Sequence, residues 1–105
     1  MEMHGHLKLS CLRDIGFSEW DPIGLLAKGE VWDQKPFADE YDPYLLEAAG
    51  RLRRDWIVDD AVEFLMKIEC DHMGLGLRAT SRPRADATAK AIRAYLDSVD
   101  GAISN

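Results

Sequence analysis

Between residues 42 and 99, apolar side chains return every three or four positions, and no stretch reads as a strand. That period belongs to helices with one buried face. One helix is expected over residues 42–53, with Tyr44, Leu45, Ala48, Ala49 and Leu52 on its apolar stripe. A second spans 56–72 through Val58, Ala61 or Val62, Leu65, Ile68 and His72, broadened by Phe64. A third spans 83–99 through Ala85, Thr88 or Ala89, Ile92, Tyr95 or Leu96, and Val99. A shorter one over 7–16 carries Leu7, Cys11 or Leu12, and Ile15. The expected fold is all-α: one compact domain of three main helices plus a short N-terminal one, with residues 1–6 and 102–105 frayed.

The helix ends carry their own signals. Asp42-Pro43 places an N-cap before a proline at the first helical position. Gly16, Gly74 and Gly101 follow the last periodic residues and are expected to stop their helices. Asp59 and Asp60 sit at the positive start of the 56–72 helix. Arg51, Arg53 and Arg54 sit at the negative end of the helix before it. Gly50 lies inside a helix at a cost of about 1 kcal/mol, so close helix packing is its expected reason.

Composition supports a folded chain: 47% of the residues are hydrophobic and 30% charged. The net charge of −6 is unevenly spread. Residues 14–47 set Asp14, Glu19, Asp21, Glu30, Asp33, Asp39, Glu40, Asp42 and Glu47 against Lys28 and Lys35, a balance of −7. Residues 73–96 set Arg78, Arg82, Arg84, Lys90 and Arg93 against Asp86, a balance of +4. Nucleic acid is disfavoured as a direct ligand, since its binding rests on neutralised phosphates, and a basic protein partner is favoured. No apolar run reaches membrane-spanning length, and Met1–His6 has no basic start leading into an apolar stretch. The expected compartment is the cytoplasm, with Cys11 and Cys70 as reduced, mostly buried thiols.

Function is expected near two short boxes that bracket the least periodic part of the chain. The first is Trp20-Asp21-Pro22-Ile23-Gly24-Leu25 and the second Asp39-Glu40-Tyr41-Asp42. Between them Gly29 and Pro36 break regular structure, while Trp32 and Phe37 pin the loop at two points. Two readings fit: the boxes clamp the loop to the core, or Trp20, Asp21, Trp32, Asp39, Glu40 and Tyr41 form a surface for a protein partner. The second reading leads here: a non-enzymatic binding domain, possible as a homodimer, one version of which neutralises a basic toxin as immunity proteins do.

Chemical motifs are sparse. There is no Gly-rich phosphate loop, no Cys-x-x-Cys pair and no Ser/His/Asp spacing, so no catalytic residue, cofactor or metal ligand is assigned. Glu69-x-x-His72 places a carboxylate and an imidazole three apart, which on an α-helix share a face. A metal- or small-ligand-binding bundle using Glu69 and His72 is therefore the alternative. His4 and His6 bind metal only if ligands come from elsewhere. Leu75 and Leu77 are expected to tuck beneath the helices, their exposure being the alternative.

With its WDPIG and DEYD boxes, and Met73-Gly74-Leu75 after a helix, the chain resembles a family of small bacterial proteins of unknown function. The likeness covers residues 7–77. It implies a compact helical domain and carries over no catalytic residue, cofactor or substrate.

Overall fold

Each apolar stripe becomes a helix in the computed structural model, which describes residues 7–27 and 29–104, residues 101–104 by their backbone alone. Helix α1 is Leu9–Ile15, α2 Asp42–Arg54, α3 Val58–Lys67 and α4 Ser81–Ser104. Two π-helical turns extend them, Gly16–Trp20 after α1 and Ile68–His72 after α3. A 3₁₀ turn, Trp32–Gln34, lies in the long connection to α2. No strand occurs among the described residues, so the fold is all-α. The expectations for residues 1–6 fall outside what the structure describes.

One core joins the helices. Leu45, Ala48, Ala49 and Leu52 of α2 meet Ala61, Val62 and Leu65 of α3 and Ala85, Ala89, Ile92 and Leu96 of α4. Leu12, Phe17, Trp20 and Tyr41 close it from the α1 side. Burying each large side chain stabilises the fold by about 1.5–3 kcal/mol. The alanines let the helices approach closely. α4 is the longest element and packs on α1, α2, α3 and the first π turn.

Several helix ends differ from expectation. Gly16 does not stop α1; the chain continues into the π turn. A Cβ on Gly16 would stand 2.7 Å from Leu45 Cδ1, so the glycine permits close packing of the turn on α2. The stop is Asp21, the one non-glycine residue in left-handed conformation among those described, at φ 32°. Gly50 meets nothing within 4 Å, which removes close packing as its reason. Gly74 ends the second π turn at φ +70°, as expected of a helix stop. Gly101 stops nothing, because the α4 backbone runs on to Ser104.

The N-cap falls on Tyr41, without a side-chain capping bond, and Asp42, expected as the cap, is already the first residue of the helix. Its carboxylate instead accepts a two-pronged bond from Arg13 of α1, Nε–Oδ1 at 3.0 Å and Nη2–Oδ2 at 2.6 Å. A planar guanidinium satisfies both carboxylate oxygens together. Two of the three last-turn arginines of α2 are engaged too. Arg51 bonds Glu47 and lies over the Trp56 ring, and Arg53 bonds Asp100 of α4. Arg93 of α4 donates to the Leu52 carbonyl at 2.8 Å, satisfying one open acceptor at the end of α2. Cys11 and Cys70 are free thiols, half-buried rather than fully buried.

Candidate functional site

The two boxes meet. Asp21, held in its left-handed turn, points both carboxylate oxygens back at its own loop. Oδ1 accepts from the Leu25 amide at 2.9 Å and Oδ2 from the Leu26 amide at 3.1 Å. The Tyr41 hydroxyl donates to Oδ1 at 2.7 Å and accepts from the Ile23 amide at 3.3 Å. Burial, and then the Asp21 carboxylate, push the Tyr41 phenol far above its ordinary pKa, so it remains a donor at neutral pH.

Trp20 is 1% exposed and Tyr41 is 0% exposed. Their rings lie 5.3 Å apart, and Tyr44 meets Trp20 edge-on at 6.2 Å. Trp20, Asp21 and Tyr41 were expected on an exposed face. The structure instead buries Trp20 and Tyr41 in an internal clamp and turns half-buried Asp21 toward two loop amides and the Tyr41 phenol. The other three expected site residues lie elsewhere. Asp39 and Glu40 are exposed on the turn before α2, and Trp32 is half-buried on the loop between the boxes.

Trp32 opens onto a groove. Its ring stacks near-parallel on Phe17 at 6.3 Å, its Nε1 donates to Asp14, and the Arg13 guanidinium sits 5.8 Å from its centre. Phe17 also meets Phe37 at 5.9 Å and Tyr41 at 5.2 Å, so one buried ring pins the loop and joins it to the clamp. The groove holds about 670 Å³ between α1, the first π turn and the loop. Phe17, Leu26, Val31 and Trp32 make its apolar lining. Asp14, Glu30 and Asp33 supply carboxylates. Lys35 pairs with Glu30 and, more than the Ala27 amide, holds its carboxyl below the usual range.

Sequence reasoning found Trp32 here but not Asp14, Val31 or Asp33. Their signal was the surplus of acid over residues 14–47, which does not say which carboxylates converge.

Glu69 and His72 are not brought to one face. In a π turn, residue i+3 falls well short of a full turn, so the α-helical spacing argument fails. Glu69 is 0% exposed and bonds Ser81 and Arg78, whereas His72 is exposed, edge-on to Tyr44 at 5.5 Å. His72 borders a separate cleft of about 470 Å³ with Phe64, Lys67, Ile68 and Asp71. Among the described residues, no group of three or more His, Cys, Asp or Glu side chains is placed to hold a metal.

The basic stretch folds onto acidic partners. Arg82 pairs with Glu63, Lys90 with Asp86, Arg93 with Asp97, and Arg78 and Arg84 face Glu69. Arg78 also donates to the Pro22 carbonyl at 2.8 Å, fastening the first box to the connector before α4. On that connector Leu75 and Leu77 are exposed, not tucked beneath the helices, Leu77 at 58%. Left-handed glycines at 74 and 76 carry the backbone away from the core there.

No helix among the described residues is long and apolar enough to cross a membrane. Comparison with protein-family models, with curated proteins and with solved structures finds no match.

Proposed function

We propose that this chain is a non-enzymatic binding domain whose groove beside Trp32 receives a basic segment of a protein partner. The observation that carries the reading is the pairing of chemistries in the groove. Apolar Phe17, Leu26, Val31 and Trp32 lie among Asp14, Glu30 and Asp33, and Val31 is 55% exposed. Apolar surface supplies burial energy, and the exposed Asp33 carboxylate, beside Asp14 held by Trp32 and Glu30 held by Lys35, selects a cationic partner and speeds its approach. Asp39 does not line the groove, but its charge reaches Arg13 next to Trp32. Trp20, Asp21 and Tyr41 support this face from within as the clamp that holds the loop. Neutralisation of a basic toxin is the most concrete form of this reading.

Affinity capture from the source cell at low and high salt tests it. A basic protein should be retained at low salt, weakened at high salt, and lost with Asp33→Lys combined with Val31→Glu. Asp39→Lys with Glu40→Lys should weaken it less, since neither residue lines the groove. Capture that neither salt nor the groove substitutions alter would overturn the proposal.

A further inference from the structure

The cluster around Glu69 holds bonding capacity that the protein leaves unused. Oε2 of Glu69 accepts from Ser81 Oγ at 2.7 Å and from Arg78 Nη2 at 3.1 Å. Arg84 Nη2 stands 3.7 Å from the same oxygen, outside hydrogen-bond reach. The other oxygen, Oε1, is buried and has no protein donor, and Nε and Nη2 of Arg84 are buried with no protein acceptor. An unpaired buried carboxylate oxygen and unpaired guanidinium N–H groups are each costly, and here they belong to side chains facing one another.

The geometry points to a buried water-binding site between Glu69 and Arg84, in which the water donates to Glu69 Oε1 and accepts from Arg84. The chemistry limits the occupant. An anion meets the Glu69 carboxylate, a cation meets Arg78 and Arg84, and an apolar group satisfies neither side. A neutral molecule that both donates and accepts satisfies both, and water is the smallest. Buried waters bind such otherwise unpaired groups, and Oε1 of Glu69 and Nε and Nη2 of Arg84 are the unpaired ones here.

The site has a mechanical consequence. Arg78 spans Glu69 and the Pro22 carbonyl, so the water completes a network joining the second π turn, the connector, α4 and the first box.

A crystal structure of the wild-type protein at atomic resolution, with water–protein cross-relaxation in solution NMR, tests this. We expect a solvent peak within hydrogen-bond distance of both Glu69 Oε1 and an Arg84 nitrogen, and a water cross-peak at Arg84 Hε. Direct bonding of Oε1 to Arg84 with no solvent between them overturns the proposal, as does absence of that cross-peak.

Discussion

Tyr41→Phe is the sharpest probe of the clamp because it removes one oxygen and keeps the ring. The contacts of Tyr41 with Phe17 and Trp20 should survive, so no cavity opens. Asp21 would lose its 2.7 Å donor and the Ile23 amide its 3.3 Å acceptor, while the Leu25 and Leu26 amides still serve the carboxylate. A hydrogen bond to a charged group contributes about 1.5–3 kcal/mol, and the Ile23 bond is long. Allowing for the easier burial of phenylalanine, the expected loss is about 2 kcal/mol. For a domain of this size that corresponds to a Tm lower by roughly 10 °C. Urea unfolding followed by circular dichroism measures it, with Tyr44→Phe as the control that keeps the Asp21 bond. A Tyr41→Phe loss no larger than the control's would refute the clamp. The same bond sets a pH dependence. The phenol's folded pKa is raised above the ordinary value of 10.0, so its contribution is complete below pH 10 and is lost as pH rises above that. Tyr41→Phe should therefore flatten the alkaline limb of the stability curve.

Four further outcomes follow. Gly16→Ala should destabilise by about 1–2 kcal/mol in urea unfolding, the clash with fully buried Leu45 outweighing the better helix propensity of alanine. Gly50→Ala, with open space at its Cβ, should stabilise by about 0.5–1 kcal/mol in the same assay. Arg13→Ala and Asp42→Ala should each cost about 1 kcal/mol, and a double-mutant cycle should find them coupled, whereas a simple helix cap at Asp42 would leave them additive. Glu69→Ala should cost about 1.5–3 kcal/mol through its lost bonds to Ser81 and Arg78, the two arginines being partly open to solvent, and amide exchange should rise in both the connector and the first box.

The helical period made the core legible. Leu45, Ala48, Ala49, Leu52, Leu65, Ile92 and Leu96 were readable as buried because a 3.6-residue repeat marks one face. The π turns were not readable. They coincide with tertiary contacts that no local pattern announces: Gly16 packed against Leu45, and Glu69 bonded to Ser81 and Arg78. For the same reason the Glu69–His72 spacing misled: it counts residues on an α-helix that is not α-helical there. The boxes were found by composition, but their orientation depended on a left-handed turn at Asp21. Aspartate visits that conformation more readily than most residues, and no local pattern announced it. Leu75 and Leu77 were misjudged because hydrophobicity alone does not tell a tucked loop from one that two left-handed glycines carry outward.

If the groove beside Trp32 meets a basic protein, a crosslinker placed on the groove should reach that protein. A photo-crosslinking residue at Val31, on the groove, compared with one at Ala94, on the outer face of α4, tests it most directly in the living source cell. An adduct to a basic protein is expected from position 31, lost with Asp33→Lys, and none from position 94. Adducts from position 94 alone, equal adducts from both, or none from position 31 would contradict it.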